Sequence, residues 1–199
     1  MILVVCAVAK EVSFLTPRPG VELLVTGVGP VEAAVEVART LATDTYDAVV
    51  NAGIAGAYPG AAEIGDSVVV AEDFIELDLE TSVPLSLPDG MHVHTRAASD
   101  ARWVDALRDA GFPCLRGMTV SRVTATNATS ERLRAGGAQV ETMEGFSILR
   151  AAEIAGVRAI QVRGISNLVC DRDQSNWNFA AGVTGLERVL TATLDLLQR

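Results

Sequence analysis

The feature that most limits what this chain can fold into is its alternation of short apolar runs with longer amphipathic ones. Residues 2–8, 21–26, 47–52, 67–76, 114–123, 139–142 and 159–165 are apolar runs, many of them rich in Val, and read as strands. Several are apolar at successive positions, the pattern of strands buried on both faces of a parallel sheet. Between them, 30–43, 99–110, 130–136, 143–155 and 178–199 read as helices, with a helical turn at 11–15. Pro30 stands near the first helical position, where its missing N–H is harmless. Val31, Ala34, Val35 and Ala38 are expected on the inner face of that helix, and Ser99 is expected to cap the next. GIAGAYPG (53–60) is expected to be the turn that ends the third strand, and 78–96 an extended loop. Strands alternating with helices predict an α/β sandwich, one domain over residues 1–199, with any ligand held at the carboxyl ends of strands.

Charge and motifs exclude several functions. The net charge is −9, from 25 acidic against 16 basic residues, which disfavours nucleic acid and anionic membranes as partners. Residues 1–9 are apolar but lack a basic n-region and a cleavage pattern, so a buried strand is expected there and not a signal peptide. No apolar stretch approaches the ~20 residues of a membrane span. Cys6, Cys114 and Cys170 are widely spaced with no CxxC, as in a cytoplasmic protein with reduced thiols. There is no GxxxxGK[ST] loop and no GxSxG elbow, and TGVGP (26–30) lacks a third glycine, so it reads as a packing turn. His92 and His94, the only histidines, stand i, i+2 in a loop; neither a metal site nor a histidine triad is expected, and no cofactor.

What remains is carboxylates and amides at strand ends. Glu11 follows the first strand, Glu144 opens a helix after a short strand, and Asn167 ends QVRGISN (161–167). Each alone is equally well a helix first-turn charge or a turn residue. Together, at three strand ends, they outline a cleft. They sit within AVAKE (7–11), NAGIAGA (51–57), GDSVVVAEDFIELD (65–78), TMEG (142–145) and VRGISN (162–167). These segments stand in the order found in the nucleoside phosphorylase and nucleosidase superfamily, which the chain resembles over essentially its whole length.

The resemblance implies a three-layer sandwich around a mixed, partly closed β-sheet and a small-molecule purine nucleoside as substrate. It also implies a homodimer with loop 78–96 near the neighbouring site. Glu144 would accept hydrogen bonds from the ribose hydroxyls, with Met143 packed under the sugar. Glu11 would orient and deprotonate the attacking water. Further contacts fall at Gly53, Ile54, Val123, Thr124, Ala125, Ser166, Arg172 and Trp177.

Two departures from the superfamily pattern refine this. Asn167 stands where adenine-specific nucleosidases carry an aspartate that protonates N7. An amide can donate to N7 or to a 6-keto oxygen and accept from N1–H, but it cannot deliver a proton, which points to a 6-oxopurine. This resembles the futalosine hydrolases, which in menaquinone biosynthesis release hypoxanthine from a nucleoside carrying a carboxylated aromatic extension on its ribose. The arginines that hold phosphate in the phosphorylases are absent from the strand turns, and Glu11 would repel phosphate, so water is the expected nucleophile. Arg172, Arg163, His92 or His94 could meet the 5′ carboxylate, and Trp177 could stack on its ring. The alternatives are a methylthioadenosine/S-adenosylhomocysteine nucleosidase, a phosphorylase and a non-catalytic nucleoside-binding protein.

Overall fold

The computed structural model describes residues 1–77, 87–173 and 176–199. The first apolar run forms β1 (Ile2–Cys6), whose side chains alternate between two cores. Ile2, Val4 and Cys6 face one, and Leu3 and Val5 the other. Helices cover both faces, which is why the run is continuously apolar. β2 (Val21–Val25) and β3 (Ala48–Ala57) flank β1 in parallel. β4 (Ser67–Ile75), β5 (Arg96–Ala98), β6 (Cys114–Thr119), β7 (Val140–Thr142) and β8 (Arg158–Leu168) complete the sheet.

β3 pairs with β8 in parallel and, at its far end, with β7 antiparallel. β4 pairs with β8 antiparallel and with β6 in parallel, and β6 pairs with β7. Strands β3, β8, β4, β6 and β7 thereby close into a ring, with β1 and β2 extending from β3 and β5 from β4. The fold is α/β around a mixed, partly closed sheet. Helices α1 (Pro30–Thr43) and α4 (Gly145–Ile154) cover one face. Helices α2 (Ala101–Asp109) and α5 (Phe179–Leu197) cover the other. In α3 (Asn127–Ala135), Leu133 joins a smaller cluster with Tyr58, Met118 and Val169. Among the described residues no helix is long and apolar enough to cross a membrane.

Several local expectations are corrected. GIAGA is not a turn: β3 runs on through Ala57, with a bulge against β8 at Gly56. A Cβ at Gly53 would lie 2.2 Å from Arg163 Nη1, and one at Gly56 would lie 2.8 Å from Val169 Cγ2. These glycines are bare places on a strand where neighbouring side chains cross it. The inner face of α1 is Ala33 and Val37, with Leu41 packed against the same core, while Val31 and Val35 are 70% and 56% exposed. Two apolar stripes are present on that helix, and the one buried is the one with the small Ala33. Ser99 caps no helix. Asp100 caps α2, and Ser99 joins strands instead, donating to the Val70 carbonyl and accepting from the Gln161 N–H. Helix α3 begins three residues before the expected Ser130, capped by Thr126. Residues 78–86 of the 78–96 loop lie outside the described residues. The remainder holds a short 3-10 turn at Pro88–Gly90 and exposed His92 and His94.

Candidate active site

The ends of β1, β3, β7 and β8 open onto one cleft of about 580 Å³. Glu11 reaches it from a single 3-10 turn, Ala9–Val12, that follows β1. The turn points the carboxylate back at two backbone donors: Oε1 accepts from Ile54 N–H at 2.9 Å and Oε2 from Val8 N–H at 3.1 Å. The side chain is only 7% exposed. Burial raises its pKa above the usual carboxylate value; the Ile54 hydrogen bond, the nearby Arg163 charge and the Val8 hydrogen bond oppose the rise, and Glu144 adds to it. A buried carboxylate held rigidly, with a raised pKa, is suited to act as a general base.

Glu144 enters from the other side as the N-cap residue of α4. Its Oε1 accepts from Gly29 N–H at 2.8 Å. Gly29 adopts φ 105°, and Gly27 φ 86°, a region where a side chain would be strained, so TGVGP bends as only glycines allow. Read from sequence as a packing turn, this segment in fact aims a backbone donor at a cleft carboxylate. Met143 lines the cleft beside Glu144, and so does Glu141. Glu141 accepts from Tyr58 O–H at 3.0 Å and Thr124 N–H at 3.0 Å.

Asn167 lines the same cleft near the end of β8. Ser166 Oγ donates to its Oδ1 at 2.9 Å, and its Nδ2 donates to the Leu168 carbonyl at 3.1 Å. The Leu168 carbonyl, which can only accept, thereby fixes which way the amide faces. Val123, Ala125 and Ile54 add apolar wall. Two cations stacked on rings also line the cleft: Lys10 is 5.5 Å from the Phe179 centroid and Arg172 5.7 Å from that of Trp177. Glu11 and Glu144 at one apolar cavity can stabilise a developing ribosyl cation and hold a water, and the stacked cations can receive an anion.

The sequence profile of the phosphorylase superfamily matches residues 13–198. The chain belongs to this superfamily. A futalosine hydrolase from Acidothermus cellulolyticus is 37% identical over 186 residues, covering 86% of this chain and 74% of the relative. One from Thermus thermophilus is 30% identical over 184 residues, covering 88% and 81%. An S-adenosylhomocysteine nucleosidase from Streptococcus pyogenes, solved with 5-methylthiotubericidin, superposes with a TM-score of 0.83 at 22% identity, covering 98% and 96%. At that identity the structural likeness is one of fold.

Within this superfamily fold, Glu11, Met143, Glu144, Asn167, Ile54, Val123, Ala125, Ser166, Arg172 and Trp177 do meet in one cleft. Gly53 and Thr124 support it from behind: Gly53 lies under the Arg163 guanidinium, and Thr124 holds Glu141 through its N–H. Arg163 is only 2% exposed and bound to Asn51, so it cannot meet a 5′ carboxylate. Exposed His92 and His94 do not line the cleft. Sequence reading missed Glu141, Gly29, Lys10 and Phe179 as parts of the site. It also missed Asp73, which is wholly buried behind it, with its carboxyl pushed up to about 6 by burial. The available signal was polarity in the wrong place. A charge inside an apolar strand, as in DF or QVRG, requires a buried partner.

Proposed function

We propose that this chain hydrolyses the N-glycosidic bond of futalosine, giving hypoxanthine and dehypoxanthine futalosine. The observation that carries the reading is Asn167, an amide and not an acid, in a cleft that also holds Glu11 and Glu144. Glu144 accepts from the ribose hydroxyls and Met143 packs under the sugar. The C1′–N9 bond breaks with its electron pair going to the base, leaving a ribosyl cation that the carboxylates stabilise. Glu11 takes a proton from the water whose oxygen bonds to C1′. Asn167 donates to the departing base, which takes up its proton from solvent. Lys10 and Arg172, over their rings, suit an aromatic carboxylate on the sugar. The relatives named futalosine hydrolase support the same substrate.

The test is base release from futalosine, aminodeoxyfutalosine, methylthioadenosine and inosine, with and without phosphate. Futalosine is expected to be preferred, with no phosphate requirement. Methylthioadenosine cleaved at a comparable rate, or a strict need for phosphate, would overturn the reading. Asn167→Asp should raise the ratio of kcat/KM for methylthioadenosine over futalosine at least about tenfold. A protonated carboxyl can donate to N7 while its second oxygen accepts from the 6-amino group. An unchanged ratio would remove Asn167 from base selection.

We also read the chain as a single cytoplasmic nucleosidase domain over residues 1–199 that forms a homodimer, with loop 78–96 near the neighbouring site. Leu23 and Val25 on edge strand β2, with Val31 and Val35 in the first turns of α1, are 43–70% exposed, and exposed apolar side chains of this kind suit contact with a second copy. Sedimentation at micromolar concentration should give twice the 20.9 kDa chain mass, and a monomer there would exclude the dimer.

A further inference from the structure

Behind the cleft, four side chains from three strands form a chain of hydrogen bonds that all point one way. Arg163 Nη2 donates to Asn51 Oδ1 at 2.8 Å, Asn51 Nδ2 to Gln161 Oε1 at 3.2 Å, and Gln161 Nε2 to Asp73 Oδ2 at 3.0 Å. All four are nine-tenths or more buried. At the Arg163 end, the guanidinium and Glu11 both crowd the empty Cβ position of Gly53, 2.2 Å from Nη1 and 3.1 Å from Oε1. At the Asp73 end, Oδ1 accepts from Thr119 Oγ1 at 2.7 Å and Oδ2 from Thr142 Oγ1 at 3.3 Å. Those two hydroxyls in turn accept from the first backbone donors of α4: Thr119 from Phe146 N–H at 2.8 Å, and Thr142 from Gly145 N–H at 3.2 Å. Glu144 is the residue directly before them. The carboxylate fits only because Gly117 and Gly145 have no side chain: a Cβ there would lie 2.3 Å and 2.0 Å from Asp73 Oδ2.

We propose that Asp73 is a positioning residue of this site, which sets the direction of the buried chain that orients Arg163 beside Glu11 and holds the helix start that carries Glu144. The catalytic half of this rests on the function proposed above. The logic lies in donor and acceptor types. A guanidinium can only donate and a carboxylate can only accept, so the two amides between them have one satisfied orientation each. Flipping either one sets donor against donor in a dry interior, where an unmade hydrogen bond costs about 1–3 kcal/mol. Asp73 therefore acts on Glu11 and Glu144 while touching neither, and it lies wholly inside the protein.

The test uses direction as its readout. Asp73→Asn keeps the shape but leaves one acceptor oxygen for the three donors Gln161 Nε2, Thr119 Oγ1 and Thr142 Oγ1, so its own Nδ2 must face one of them and a joint at this end of the chain breaks or reverses. Its kcat for base release should fall at least about tenfold, with a smaller change in KM. Its crystal structure should show Arg163 turned away from Asn51. Asp73→Asn/Gln161→Glu moves the carboxylate one link along the chain. The new amide then donates to position 161, Asn51 donates as before, and Arg163 still has its acceptor. This double variant should recover kcat to within about threefold of the original chain. A purely structural role for Asp73 predicts the opposite, with the double variant slower than the single. A double variant no faster than Asp73→Asn, or Arg163 unmoved in Asp73→Asn, overturns the proposal. If Asp73→Asn does not fold, the folding and rate of the double variant decide. If the original chain cleaves none of the four nucleosides, the proposed function fails, and the position of Arg163 still decides the direction of the chain.

Discussion

Glu144→Gln is expected to lower kcat for base release by more than about a hundredfold, with a much smaller effect on the fold. The amide keeps an oxygen for Gly29 N–H, which now donates to Oε1 at 2.8 Å, so the start of α4 stays tethered to the start of α1. What is lost is the negative charge. Two unit charges 4 Å apart attract by about 4 kcal/mol at an effective dielectric of 20. That corresponds to roughly three decades of rate if the attraction exists only in the transition state. The substrate carries no such charge on its ribose, so ground-state binding suffers less and kcat should fall further than KM rises. The amide also presents a donor to ribose hydroxyls where the carboxylate presented only acceptors. Steady-state kinetics on futalosine would check this. A loss below tenfold would remove Glu144 from the transition state.

Glu11→Gln is expected to cost about two to four decades in kcat, the usual range for loss of a positioned general base. The pH dependence follows from its surroundings. Burial raises the folded-state pKa of Glu11 above that of the unfolded chain. The protonated form is thus favoured by folding, and its contribution to stability is full below the unfolded value and lost as pH rises through the raised one. Activity runs the other way. Only the ionised carboxylate can accept a proton, so kcat/KM should fall as pH drops through the raised pKa. Asp73, whose carboxyl is pushed up to about 6 by burial, adds to that acid limb. In Glu11→Gln the limb should therefore become shallower, leaving what Asp73 contributes. A variant with the full rate, or with the acid limb unchanged, would show that Glu11 is not the base.

Much of the architecture was legible in the residues. Runs such as ILVVC (2–6) and VVV (68–70) are apolar at every position because helices cover both faces of the sheet, and no tertiary knowledge is needed to see that. Glu11, Glu144 and Asn167 were legible as a set because each stands at a strand end, where the topology of such sheets places ligands. Their partners were not. The apolar periodicity of α1 allowed two inner faces, and the residue that holds Glu144, Gly29, lies 115 positions from it in sequence. GIAGA looked like a turn because glycine usually marks one. It is strand because its backbone pairs with β8 and β7, and its glycines leave room for Arg163 and Val169 to cross it.

The chain from Arg163 through Asn51 and Gln161 to Asp73 joins residues 112, 110 and 88 positions apart. The chain of residues by itself determined which strands are buried and which carboxylates and amides stand at their ends, because burial pattern and turn chemistry are local. Only the tertiary structure decided which buried polar groups face one another and in which direction their hydrogen bonds run. That depends on the register between strands distant in sequence, and no local pattern encodes it.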